Sequence, residues 1–240
     1  MFQTRSQMFD TRSVVFNLIA INVVFFIASS LLGDGFADKL SLHYFFNTHD
    51  YVQRVAPLES SRFEPYQLIT HMFMHGNLGH IFSNMFAVFM FGTVLEQVWG
   101  GKRFLTFYLI TGFGAMLLHM AVQVFLIFKV TGTIDPLWTE LMEHPEVFST
   151  YFSRTVGASG AVFGILVAFG LLFPNTELML ILFPIPIKAK YFVSVYILWE
   201  LYRGFSMSYG DNVAHFAHLG GALFGYIMIK IWNKNKNQFF

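Results

Sequence analysis

Apolar residues in this chain fall in long continuous runs, not in the short alternating or 3.6-residue patterns of soluble elements. The first run extends from about Val14 to Leu32. Its ~19 residues exceed the 7–15-residue core of a secretion signal, so it reads as a membrane span. Further spans are expected at about Leu78–Val98, Phe104–Phe128, Val156–Phe173, Ala189–Phe205 and Val213–Trp232. Polar stretches Gly33–Gln67 and Lys129–Thr155 separate some of them, and the first is long enough to carry helical structure of its own. The run Leu178–Ile187 is too short to span and holds Pro184 and Pro186, so a loop at the interface is expected there. The pattern predicts one domain over 1–240, an all-α polytopic membrane protein with six transmembrane helices and a helical or irregular surface loop after the first.

Composition narrows the class. Hydrophobic residues make up 55% of the 240 positions and charged residues 12%, about half the charge of a soluble domain. The mean hydropathy is +0.54. A net charge of +1 without a long basic run argues against a nucleic-acid partner. The absence of cysteine excludes disulfides, thiol catalysis and Cys-ligated zinc. With the N-terminus inside, nine Lys and Arg fall on the cytoplasmic side and six on the other, the six spread over longer loops. That asymmetry puts both termini in the cytosol.

Polar residues inside spans are costly and so are candidates for function. One group is His71, His75, His80 and Asn84, with His80 and Asn84 four apart on one helix face. A second is Gly157-Ala158-Ser159-Gly160 at the start of the fourth span. The third is His215 and His218 at the start of the sixth, followed by Gly220, Gly221 and Gly225. In the chosen orientation all three lie near the non-cytoplasmic helix ends, where one site can form. Each alone has a bland reading, as backbone-bonded serine, interhelical amide, interfacial histidine or packing glycine. Together they are the parts of a serine hydrolase: nucleophile, base and oxyanion donors.

The glycines have a mechanical role in that reading. Gly160, Gly164 and Ala168 form one small-residue stripe, and Gly221 and Gly225 another. Such stripes let helices approach closely enough for a nucleophile–base hydrogen bond. At ~100° per residue, His218 lies about 60° from Gly221 and His215 about 120°. His218 therefore belongs to the close-packing face.

These motifs resemble the signatures of rhomboid intramembrane serine proteases: Gly-Ala-Ser-Gly at 157–160, His80-x-x-x-Asn84, and Ala217-His218-x-x-Gly221-x-x-x-Gly225. The resemblance covers roughly Tyr66 to Trp232 and is to the six-span bacterial type. It implies a Ser159–His218 dyad without a third acidic member, and an oxyanion site of the Ser159 backbone N–H with His80 and Asn84. It also implies a structural role for Glu96. The expected activity is cleavage of single-span membrane proteins within the bilayer near its non-cytoplasmic face, without cofactor or metal. The expected location is the bacterial inner membrane. Two departures from the family pattern stand out: Tyr66-Gln67 replaces a common Trp-Arg, and Phe163 replaces a Tyr that stacks on the catalytic His.

A histidine metal site drawn from His71, His75, His80, His119, His215 and His218 is the rival reading. It is disfavoured because no H-E-x-x-H motif occurs and no carboxylate is expected to accompany these histidines within the spans. A catalytically dead relative would be expected to lack the Ser or the His. An α/β-hydrolase is rejected because Ala161 stands where G-x-S-x-G needs glycine.

Overall fold

The structure is a computed structural model that describes residues 13–46, 63–180, 183–206 and 212–234. Its principal elements are helices α1 (Val14–Leu32), α2 (Asp34–Leu40), α3 (Leu78–Trp99), α4 (Gly101–Thr131), α5 (Trp138–Glu143), α6 (Pro145–Phe152) and α7 (Ser159–Leu172). A hairpin of β1 (Glu177–Leu180) and β2 (Phe183–Lys188) follows, then α8 (Ala189–Ser206) and α9 (Asn212–Lys234). The chain is an all-α polytopic membrane protein. Helices α1, α3 and α4 are each long and apolar enough to cross a bilayer on their own. Large apolar side chains such as Val24, Leu31, Phe82, Phe125, Leu198 and Phe205 point outward, as lipid-facing residues do.

Helix α7 is the centre of the bundle. Every residue from Gly160 to Gly170 is buried, as expected of a helix that is apolar all round. It packs against α3, α4, α8 and α9. Its 14 residues span ~21 Å at 1.5 Å per residue, less than the ~30 Å hydrocarbon thickness. The helix is shorter than the hydrocarbon layer and than the helices around it, and Ser159 is its first residue.

Small residues set how closely α7 is approached. A Cβ on Gly221 would overlap the Gly160 carbonyl, and one on Gly225 would lie 2.9 Å from the Gly164 Cα. On the opposite side, Gly160 faces the Ala115 methyl and Gly164 faces Thr111 on α4. Gly221→Ala should therefore force α9 away from α7 and destabilise the fold by ~1–3 kcal/mol, the usual range for overpacking. Gly76→Ala, with nothing within 4 Å of its Cβ position, should melt with the wild type. Thermal unfolding of both variants in detergent checks this; equal melting would show that the α7–α9 contact can relax.

Other expectations resolve locally. Glu96 near the end of α3 accepts hydrogen bonds from Ser13 Oγ (2.8 Å) and the N–H groups of Val14 (2.7 Å) and Val15 (3.0 Å). It caps the exposed N–H groups at the start of α1, favourably for the helix dipole. The polar stretches contain α2, α5 and α6 in their described parts, while residues 47–62 lie outside them. The segment Leu178–Ile187, expected as a loop, is instead an antiparallel hairpin with Glu177 opposite Lys188 and Leu178 opposite Ile187. Pro184 and Pro186 are compatible with the hairpin because β2 has one strand partner, and an edge strand is where proline is tolerated in a sheet.

Candidate active site

Ser159 opens α7 after a turn that only glycine accommodates well. Gly157 has φ +122°, its N–H donates to the His71 carbonyl (2.8 Å), and a Cβ there would strike the His80 ring at 2.8 Å. The turn thus fixes the start of α7 and leaves room for His80 beside it. As the first helical residue, Ser159 has a backbone N–H without an intrahelical acceptor, at the positive end of the helix dipole.

His218, on α9, reaches Ser159 directly. Its Nε2 lies 2.9 Å from Ser159 Oγ. Phe163, one turn after Ser159, stacks on the imidazole with centroids 4.4 Å apart and planes 10° apart. The phenyl ring therefore keeps the stacking contact expected of the family tyrosine, without its hydroxyl. Tyr196 of α8 packs against Phe163 in turn, at 4.7 Å.

His80 and Asn84, one turn apart on α3, face the same space. Both line a cavity of about 820 Å³ together with Ser159 and His218. The cavity extends between α3 and α8 past Met90, Phe91 and Phe192 to Glu177 and Leu178 of the hairpin. A π turn at Val88–Gly92 lies along this wall of α3. Asn84 is buried and donates from Nδ2 to His75 Nε2 at 3.1 Å. Burial holds the His75 imidazole down at about 4, so it is neutral and able to accept at ordinary pH. One amide N–H is thus held by His75, and the second is available to another acceptor. His75 emerges as the residue that orients Asn84, a role its sequence position did not indicate.

The remaining histidines separate. His71 is buried with Nδ1 at 2.7 Å from the Gln67 carbonyl, and His119 Nε2 meets Thr155 Oγ1 at 2.6 Å. His215 does not reach the nucleophile. Its Nδ1 lies 2.6 Å from Glu200 Oε2, and the same oxygen lies 3.0 Å from His218 Nδ1. Glu200 is 4% exposed and sits in α8. Two expectations change here. A carboxylate does accompany the histidines within the spans, and an acidic side chain does adjoin the base. Among the described residues, Glu200, His215 and His218 are the one group of three such side chains with atoms within 4.8 Å of one another. Hydrogen bonding accounts for these contacts. Glu200 had a signal in the sequence, as an ionisable residue inside an apolar run.

The helical bundle and its half-buried Ser159–His218 pair, with His80 and Asn84 lining the same cavity, define a membrane protein with a serine-hydrolase constellation. The chain belongs to the rhomboid family: residues 62–234 match the Rhomboid domain. Over 158 residues it is 27% identical to the mitochondrial Rhomboid protein 1 of Saccharomyces cerevisiae, covering 66% of this chain and 39% of that one. It is 30% identical over 161 residues to the Rhomboid protease GluP of Bacillus subtilis, covering 67% of this chain and 25% of that protein. A 97-residue stretch is 33% identical to the Rhomboid protease AarA of Providencia stuartii, covering 40% and 30% respectively. The chain thus spans between a quarter and about half the length of the curated relatives it matches.

Proposed function

We propose that the chain is an intramembrane serine endopeptidase that cleaves single-span membrane proteins near the non-cytoplasmic face. The observation that carries this reading is the 2.9 Å Ser159 Oγ–His218 Nε2 pair, set in a cavity it shares with His80 and Asn84. His218 Nε2 takes the Ser159 hydroxyl proton as Oγ attacks a peptide carbonyl. The negative charge that develops on the carbonyl oxygen is met by the Ser159 N–H, Asn84 and His80. His218 then gives its proton to the leaving amine, and water hydrolyses the acyl-enzyme.

The cavity has room for that water. A substrate helix must unwind locally, because a helical amide is closed within its own hydrogen bonds. The gap between α3 and α8 gives an extended segment a way to Ser159. The charge asymmetry supports cytoplasmic termini, which turns the Ser159 end of α7 toward the other face; the membrane of this reading is the bacterial inner membrane.

Reconstitution with a labelled single-span substrate tests this reading. Cleavage should be Ser159-dependent and insensitive to chelators. Loss of activity on chelation would favour a metal held by Glu200, His215 and His218, the group whose closeness gives that second reading its basis. Asn84→Ala should lower kcat by on the order of 10²–10³, as removal of one oxyanion donor does. An unchanged kcat in a steady-state assay would reduce Asn84 to an interhelical contact.

A further inference from the structure

We infer that Glu200 is a positioning residue for the catalytic base, making the site a Ser159–His218–Glu200 relay braced by His215. The inference rests on the protease reading above and adds a member to it. Glu200 Oε2 is shared by two imidazoles, His215 Nδ1 at 2.6 Å and His218 Nδ1 at 3.0 Å. An ionised carboxylate only accepts, so both Nδ1 atoms carry the hydrogens. A neutral His218 with its hydrogen on Nδ1 has a bare Nε2, and that atom is the one facing Ser159 Oγ. The carboxylate therefore selects the tautomer that can take the serine proton.

Burial makes the arrangement specific. Glu200 is 4% exposed on α8, and a carboxylate in a membrane span needs partners to be tolerated. His215, one turn before His218 on α9, supplies the second donor. With two hydrogen bonds on one oxygen, the carboxylate is held in place whatever His218 does during turnover. When His218 gains the serine proton, its positive charge forms beside Glu200 in a low-dielectric pocket, where an opposite charge has most effect. His80 and Ser159 face His218 across the cavity, and Phe163 covers its ring. Among these neighbours Glu200 is the anion. Phe163 lacks the hydroxyl of the expected tyrosine, and besides the Ser159 contact on Nε2 the polar hold on His218 is the Glu200 contact on Nδ1.

Two measurements on the full-length protein test the inference. The first compares Glu200→Gln with wild type in proteoliposomes, with thermal melting to verify the fold. The expected result is a fall in kcat on the order of 10², below the larger losses seen when a buried triad acid is removed, with KM within twofold. Glutamine keeps the shape and one acceptor but no charge, so a packing role alone would leave kcat near wild type. The second measures the His218 tautomer in ¹⁵N-histidine-labelled wild type by NMR, assigned with a His218→Asn sample. Hydrogen on Nδ1 with Nε2 bare is expected. It decides the matter if Glu200→Gln does not fold. Hydrogen on Nε2, or kcat within twofold in a folded Glu200→Gln, overturns the role of Glu200 while Ser159-dependent cleavage stands. Absence of Ser159-dependent cleavage in wild type would instead remove the protease reading itself.

Discussion

Ser159→Ala is expected to abolish cleavage of a reconstituted single-span substrate while leaving the fold intact. The side chain is half-buried at the first position of α7, and its Oγ is bonded to His218 Nε2. Alanine removes that oxygen and adds nothing to the α7–α9 contact, which is formed by Gly160 and Gly164 further along the helix. Losing the nucleophile removes the covalent path altogether, a loss of ~10⁶ in kcat where it has been measured in a serine hydrolase. Cleavage assays and thermal melting on the same preparation check both halves. Substantial residual cleavage by a correctly folded Ser159→Ala protein would mean that another group attacks the peptide.

The second large effect separates two histidines one turn apart. His218→Ala should be as inactive as Ser159→Ala, since it removes the only imidazole in hydrogen-bond contact with Oγ among the described residues. His215→Ala should retain a measurable fraction, because His215 touches Glu200 and not the nucleophile. The angular reading of α9 and the structure agree on which histidine faces α7, by different routes: the first from the position of Gly221 and Gly225, the second from a direct distance. Parallel turnover measurements on the two variants decide it. An active His218→Ala with an inactive His215→Ala would overturn the assignment and the helix packing behind it.

What was legible in the sequence had local causes. The central helix showed itself through an unbroken apolar run with small residues every fourth position, because burial on all sides demands the first and close neighbours the second. Ser159, His80, Asn84 and His218 were legible as polar residues in expensive places. Glu200 was legible in the same way, yet its meaning was not. It is 15 and 18 residues from the histidines it serves, and a carboxylate in an apolar run does not by itself tell which neighbouring helix it meets. Only the crossing of α8 with α9 brings it to His218. The role of His75 was hidden for a similar reason, since it lies in a turn before α3 and reaches Asn84 by folding back nine residues. The hairpin Glu177–Lys188 was masked by its prolines, which break a central strand but suit an edge with one partner.

The central claim is that Ser159 is an activated nucleophile. Treating the detergent-solubilised protein with a fluorophosphonate probe and mapping the adduct by mass spectrometry tests it without a natural substrate. One adduct on Ser159 is expected, present with or without chelator and lost in Ser159→Ala and His218→Ala. A preparation that cleaves a membrane substrate yet carries no adduct on Ser159, or loses cleavage when metals are removed, would contradict the account.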